Sequence, residues 1–222
     1  MIDAVTVGPF EENCYLVVDD ATREAVLVDP GDEPSRIIAM AERHGVTPSA
    51  VWITHGHLDH IGGIEGVRRR WPGVSVWLHD EDTPLYAAGE QAAALYGVPF
   101  EQPMPADRAY DEGDTVRVGQ SRFAVWHVPG HAPGHVALVG DGLVFGGDCL
   151  FAGSIGRTDL PLCDPGALVA SLERLLTLPD ATTVYPGHGP RTTIGRERVT
   201  NPFLTGAARV PGSRRAVAGE PR

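Results

Sequence analysis

The chain has 222 residues, room for one large domain or two small ones with a core that needs no covalent staples. Its 42% hydrophobic and 21% charged residues exclude an intrinsically disordered chain. All 18 basic residues are arginine and stand against 29 acids; the net charge of −11 argues against non-specific nucleic-acid binding, although not against a nuclease with a local basic groove.

Residues 4–8 and 14–19 read as strands, with Gly8-Pro9 and Glu11-Glu12-Asn13 as the turn between them. Ala25–Asp29 is a short apolar strand, and 34–44 has the spacing of an amphipathic helix stopped by Gly45. Ala50–Thr54 is the next strand, 63–70 a short helix, 74–78 a strand, and the Ala-rich stretch 83–96 one helix. Strands follow at 115–118, 122–128, 135–139 and 143–146, separated by Gly-rich turns. Asp164-Pro165 starts a helix, with Asp as cap and Pro in the first turn, and Leu168, Leu172, Leu175 and Leu176 form its core stripe. Residues 182–185 are a last strand. This mixed α/β order fits two sheets packed face to face with helices outside. One domain is expected over 1–206, and 207–222, rich in Arg, Pro, Gly and Ser, is expected to be a flexible tail.

No apolar run reaches the roughly 18 residues of a membrane helix. The start, Met1-Ile2-Asp3-Ala4-Val5, has neither the basic nor the apolar part of a secretion leader. Cys14, Cys149 and Cys163 match no zinc-ribbon spacing and read as reduced thiols. A cytoplasmic protein with no membrane or nucleic-acid partner is therefore expected; its oligomeric state is open.

Six of the nine histidines sit in two short stretches, 55–60 and 127–135. Thr54-His55-Gly56-His57-Leu58-Asp59-His60 follows an apolar strand. Alternation along extended backbone would send His55, His57 and Asp59 to one side, with His60 turning in afterwards. Pro129-Gly130-His131-Ala132-Pro133-Gly134-His135, Gly146-Gly147-Asp148 and Tyr185-Pro186-Gly187-His188-Gly189 each follow a strand as well. A shared site at one edge of the sheets is expected. Imidazoles and carboxylates without a thiol suit zinc or iron. Structural metal sites usually close with four ligands, and this chain offers more. His44, His79 and His127 read as ordinary core or surface residues.

His55-Gly56-His57-Leu58-Asp59-His60, followed in order by His131, Asp148 and His188, resembles the metallo-β-lactamase superfamily. Asp29 in Leu27-Val28-Asp29-Pro30-Gly31 matches that family's aspartate at the end of an early strand. The resemblance implies a four-layer αββα sandwich of the α/β (α+β) class with a dinuclear centre. Carried over residue by residue, His55, His57 and His131 hold one metal, Asp59, His60 and His188 the other, and Asp148 bridges them. Two divalent ions are implied, zinc first, with iron or mixed iron and zinc as alternatives. The implied nucleophile is a metal-bridging hydroxide, with Asp59 as the catalytic residue that orients it. Asp29 and His135 are expected behind the ligands, fixing them in place.

Asp148-Cys149-Leu150-Phe151 with Gly156-Arg157 is similar to glyoxalase II. Tyr185-Pro186-Gly187-His188-Gly189-Pro190 followed by Asn201-Pro202-Phe203-Leu204 resembles its short bacterial relatives, as does Asn13-Cys14-Tyr15. The implied activity is hydrolysis of a small-thiol thioester, S-lactoylglutathione-like. The 34 residues after His188 are too few for the helical domain that binds glutathione in full-length glyoxalase II, so the thiol is open. The alternatives are a persulfide dioxygenase with mononuclear iron, or a lactonase or phosphodiesterase on the same centre. Asp148 stands where common zinc β-lactamases have Cys, so β-lactam hydrolysis is not expected. His57 argues against flavodiiron chemistry, and His135 against the dioxygenase.

Overall fold

In a computed structural model that describes residues 1–214, 216 and 217, two six-stranded sheets stack with helices on both outer faces. Strands β1 (Ile2–Val7), β2 (Glu12–Val18) and β3 (Ala25–Val28) form an antiparallel meander. Strands β4 (Pro48–Trp52), β5 (Ser75–His79) and β6 (Arg108–Tyr110) add in parallel, so the first sheet runs in chain order. Parallel neighbours need crossovers. Helix α1 (Pro34–Arg43) makes the first, α2 (Leu58–Ile61) and α3 (Ile64–Arg70) the second, α4 (Thr83–Ala87) and α5 (Gly89–Tyr96) the third.

The second sheet starts with β7 (Thr115–Val118), β8 (Ser121–His127), β9 (Val136–Gly140) and β10 (Leu143–Gly147), all antiparallel. A two-stranded hairpin of β11 (Leu150–Phe151) and β12 (Ser154–Ile155) and helix α6 (Pro165–Leu175) come next. Strand β13 (Thr183–Pro186) then pairs parallel with β10, β14 (Thr192–Thr193) closes the edge, and α7 (Ile194–Thr200) follows.

Alternation builds the layers. Leu16, Leu27 and Val51 meet Ile37 and Met40 of α1 and Ile64 of α3 on one face of the first sheet. Their strand neighbours Tyr15, Val26 and Trp52 turn the other way, onto Phe123, Leu138 and Phe145 of the second sheet. Behind that sheet, Val144 and Val184 meet Leu168, Leu172 and Leu175 of α6 and Ile194 of α7. The order is helix, sheet, sheet, helix, the expected αββα sandwich. Each such side chain contributes about 1.5–3 kcal/mol by leaving water.

Asp164 caps α6 as expected, accepting from Gly166 N and Ala167 N, with Pro165 in the first turn. The single helix expected over 83–96 is two, broken between Ala87 and Gly89. Gly89 lies so close to Phe100 that an added Cβ would stand 2.6 Å from the ring. Strand β4 stops at Trp52, two residues early, and α2, β6, β14 and α7 have no counterpart in the sequence reading. Within the segment from residue 207 onward, expected to be a loose tail, two valines lie packed inward. Val210 and Val217 bury themselves in the cluster behind the second sheet, because that cluster is still open to apolar side chains there. Arg215 and residues 218–222 lie outside the described residues. Among the described residues no helix is long and apolar enough to cross a membrane.

Asp19 ties the two sheets together at the end away from the histidines. Its carboxylate accepts from Ala21 N and Thr22 N in its own turn, from Gln120 N in the turn between β7 and β8, and from Ser121 Oγ at the start of β8. The Thr22 amide above all holds its carboxyl down at about 2. The folded carboxyl titrates below the unfolded one, so its contribution is complete above about pH 4 and lost as pH falls toward about 2. Asp19→Asn should therefore lower stability at neutral pH and flatten its decline on acidification below pH ~4. Urea midpoints measured for both proteins across that range check this.

Candidate metal centre

Strands β4, β8, β10 and β13 all end at one edge of the sandwich, and each delivers a cluster residue just past its end. His55 and His57 follow β4 in extended chain, whereas Asp59 and His60 already lie in α2. Alternation therefore does not carry Asp59 to the side of His55 and His57, as the sequence suggested; the helical turn swings it toward His60. His131 follows β8, Asp148 follows β10 and His188 follows β13.

The potential ligand atoms of His55, His57 and His131 lie within 4.8 Å of one another. Those of Asp59, His60 and His188 do the same, as do those of His55, His60 and Asp148. Asp148 stands between the groups: Oδ1 is 3.4 Å from His60 Nε2, and Oδ2 is 3.5 Å from both His131 Nε2 and His188 Nε2. Asp59 Oδ2 is 3.3 Å from His188 Nε2, and His57 Nδ1 is 2.9 Å from His131 Nε2. All seven residues singled out from the sequence thus converge.

Their electrostatics are set by burial and by one another. Burial pushes His55 well below the usual imidazole range and His57 to about 3. Burial also opposes charge on His60, but Asp148 and Asp29 outweigh it and raise the imidazole well above its usual value. Asp148 is held far down: burial works against its charge, and His60 overcomes it. Asp59 is lowered in the same way, burial being outweighed by His188.

His55 Nε2, His60 Nε2 and Asp148 Oδ1 are buried with no hydrogen-bond partner. A buried polar atom left unpaired costs about 1–3 kcal/mol. His60 uses Nδ1 on Asp29 Oδ2, 3.0 Å away, which turns its Nε2 toward the Asp148 carboxylate. Lone pairs and anions converging in one space are satisfied together by cations. Five imidazoles and two carboxylates fit zinc or iron.

The residues expected behind the cluster are there. Asp29 accepts from Thr54 N at 2.7 Å and Thr54 Oγ1 at 2.6 Å besides fixing His60. His135 is not among the metal-grouped side chains; its Nε2 accepts from Asp148 N at 2.9 Å, and its ring stacks on His55 at 4.8 Å. His131 Nδ1 meets Arg157 O at 2.9 Å, which turns Nε2 inward. Two glycines are required by close approach. A Cβ on Gly187 would lie 2.2 Å from Asp148 Oδ1, and Gly147, at φ +47, would place one 2.5 Å from Thr54 Oγ1.

Four contributors were given no role at the site by the sequence reading. Asp82, in the turn before α4, accepts from Gly56 N at 2.7 Å and Gly134 N at 2.5 Å, so one carboxylate joins two histidine loops. Glu12, read as a turn residue, opens β2 and is 1% exposed beside His60, 4.0 Å from Nδ1, with both oxygens unpaired. Asn13 and Tyr15 hold the His188 loop: Asn13 Nδ2 donates to Gly189 O at 2.8 Å and Tyr15 OH to Pro186 O at 2.6 Å. Asp82 and Glu12 stand among other acids with no distinctive spacing. Asn13 and Tyr15 were visible only through a family resemblance. The cysteines are free thiols, and Cys163 Sγ donates to His131 O at 3.0 Å.

Residues 7–188 match the family model described as the metallo-beta-lactamase superfamily. Hydroxyacylglutathione hydrolase GloC of Haemophilus influenzae is 36% identical over 91% of this chain and 97% of that protein. The crystal structure of TTHA1623 in a di-iron-bound form is 46% identical, with a TM-score of 0.85 over 91% of this chain and all of that one (100%). The structure of BLEG-1 B3 metallo-beta-lactamase is 38% identical, with a TM-score of 0.86 over 92% of this chain and 100% of that one.

In Asp82→Asn, the amide can accept from only one of the two glycine N–H groups and presents an N–H to the other. Metal affinity should fall about 10–100-fold while the circular dichroism spectrum stays that of the parent. Competition with a chromophoric chelator measures it; unchanged affinity would mean the two loops hold themselves.

Proposed function

The chain belongs to the metallo-β-lactamase superfamily, and from that premise we propose that it hydrolyses thioesters of a small thiol. The observation that carries this reading is Asp148, a carboxylate rather than a thiol, standing between two groups of imidazoles. The likeness to GloC over nearly the whole of both chains supports the substrate class.

In this reading His55, His57 and His131 would hold one divalent cation and Asp59, His60 and His188 a second, with Asp148 standing between the two groups. When bound, such a pair would make a water more acidic and polarise the thioester carbonyl. Zinc is the first choice; the di-iron form of TTHA1623 keeps iron, alone or with zinc, beside it. The residues supply orientation. Asp29 and Arg157 O fix the tautomers of His60 and His131, so that both Nε2 atoms point inward. Asp59, held ionised by His188, is placed to orient the attacking water and take its proton. Water oxygen adds to the acyl carbon, the carbon–sulfur bond breaks, and the thiol leaves with a proton. On the acidic composition, nucleic-acid and membrane partners stay outside this reading, and a cytoplasmic setting belongs to it.

The metal-loaded chain is to be tested by metal analysis and a panel of S-lactoylglutathione, a neutral thioester, a lactone, a phosphodiester and a β-lactam. Two metals per chain with thioesters turned over fastest is expected. One iron per chain with oxygen uptake on a thiol persulfide would replace this reading with a dioxygenase. Asp59→Asn should cost about 100-fold or more in kcat while metal content stays near that of the parent. Loss of metal in proportion to activity would reduce Asp59 to a ligand.

A further inference from the structure

The cluster lies at the bottom of a cleft of about 560 Å³, lined by His57, Asp59, His131, Asp148 and His188 at its base. That volume is within the range of about 300–1,000 Å³ that takes up a whole small ligand. Above the base the described walls are mostly hydrocarbon, with Gln91, Arg157 and the Tyr96 hydroxyl as the polar exceptions. Leu85, Leu95 and Tyr96 come from α4 and α5, and Phe151, Ile155 and Leu160 from the hairpin and the loop beyond it. Leu95 is 88% exposed and Tyr96 49%, large apolar surface kept in water at the mouth of the site. Phe10 braces this wall, meeting Tyr96 edge-on at 5.3 Å.

Charge around the cleft points the same way. Apart from the histidines of the cluster, Arg157 is the one basic residue among the described lining residues. Its guanidinium is already used: Nε and Nη2 donate to the two oxygens of Asp159 at 2.7 and 2.8 Å. The acids in the lining, Asp59 and Asp148, belong to the cluster. A tripeptide thiol such as glutathione brings two carboxylates, and a carboxylate leaving water needs a cation or several donors. Among the described lining residues there is no second cation beside the paired Arg157, and the remaining side-chain donors are the Gln91 amide and the Tyr96 hydroxyl.

We propose that the substrate is a thioester whose acyl arm is an uncharged hydrocarbon chain laid along α5 and the β11–β12 hairpin, and whose thiol carries no carboxylate. The specificity rests on the thioester-hydrolase reading and narrows it. Leu95 and Tyr96 grip the acyl arm, Phe151 and Ile155 face it, and the thioester carbonyl reaches the cluster below. The pairing of Arg157 with Asp159 withholds the cation that an anionic thiol would seek.

The test uses the full chain loaded with zinc. N-acetylcysteamine thioesters from acetyl to decanoyl are compared, and S-lactoylglutathione is compared with S-lactoyl-N-acetylcysteamine. The expected kcat/KM rises about two- to fourfold per methylene until the chain outgrows the cleft. The neutral lactoyl ester should exceed the glutathione ester by at least about tenfold. Leu95→Asp should flatten the rise with chain length, and Asp159→Ala, by freeing Arg157, should raise kcat/KM for S-lactoylglutathione. Rates independent of chain length together with a preference for the glutathione ester would overturn the specificity and leave thioester hydrolysis standing. No turnover of any thioester would instead sink the hydrolase reading. In that case a non-hydrolysable decyl thioether that inhibits metal-probe binding no better than its ethyl analogue would sink the apolar arm as well.

Discussion

Three buried atoms, His55 Nε2, His60 Nε2 and Asp148 Oδ1, face one another without a hydrogen-bond partner, and much of the molecule is arranged to keep them there. Imidazoles and carboxylates crowded into one dry space repel or desolvate one another unless cations draw them together. That requirement explains the glycines at the strand ends. Gly147 and Gly187 bring backbone where a methyl group would collide with Thr54 or Asp148. It also explains why the acids behind the cluster are spent on holding loops and rings, Asp29 on Thr54 and His60, Asp82 on Gly56 and Gly134.

The site needs both sheets. The first contributes His55, His57, Asp59 and His60 beyond β4, the second contributes His131, Asp148 and His188 beyond β8, β10 and β13. Neither set closes around a cation pair alone. Stitching across the sandwich therefore falls to a few polar side chains. Asn13 and Tyr15 of the first sheet grip the His188 loop of the second, and Asp82 joins a loop from each. The apolar layer between the sheets fixes their spacing through Trp52, Phe123 and Phe145, and the stitches fix register at the edge where chemistry happens.

Much of this was legible in the chain. Apolar alternation marked most of the strands, Asp164-Pro165 marked the start of α6, and the histidine runs marked the edge where the ligands gather. Other features carry no local signature. The break between α4 and α5 is set by Phe100, which approaches Gly89 from outside the Ala-rich run. Helix α2 follows the second histidine because the chain must turn there, and that turn sends Asp59 away from His55. Val210 and Val217 read as part of a loose tail until the surface they cover is known. Asp82 and Glu12 were two acids among 29, and only distance distinguishes them.

The sequence by itself determined which side chains gather at one edge of the sheets, because imidazole and carboxylate donors recur just past the ends of apolar strands. It also determined the layer order, because side-chain alternation is local and survives in the one-dimensional pattern. Their division into two groups was implied by the family resemblance alone; only the tertiary structure decided that Asp82 and Glu12 stand behind them and what surrounds the cleft above. Those outcomes depend on atoms brought together from distant parts of the chain, such as Leu95 and Phe151 or Asp82 and Gly134. Contact across that separation is a property of packing, and no local pattern of residues records it.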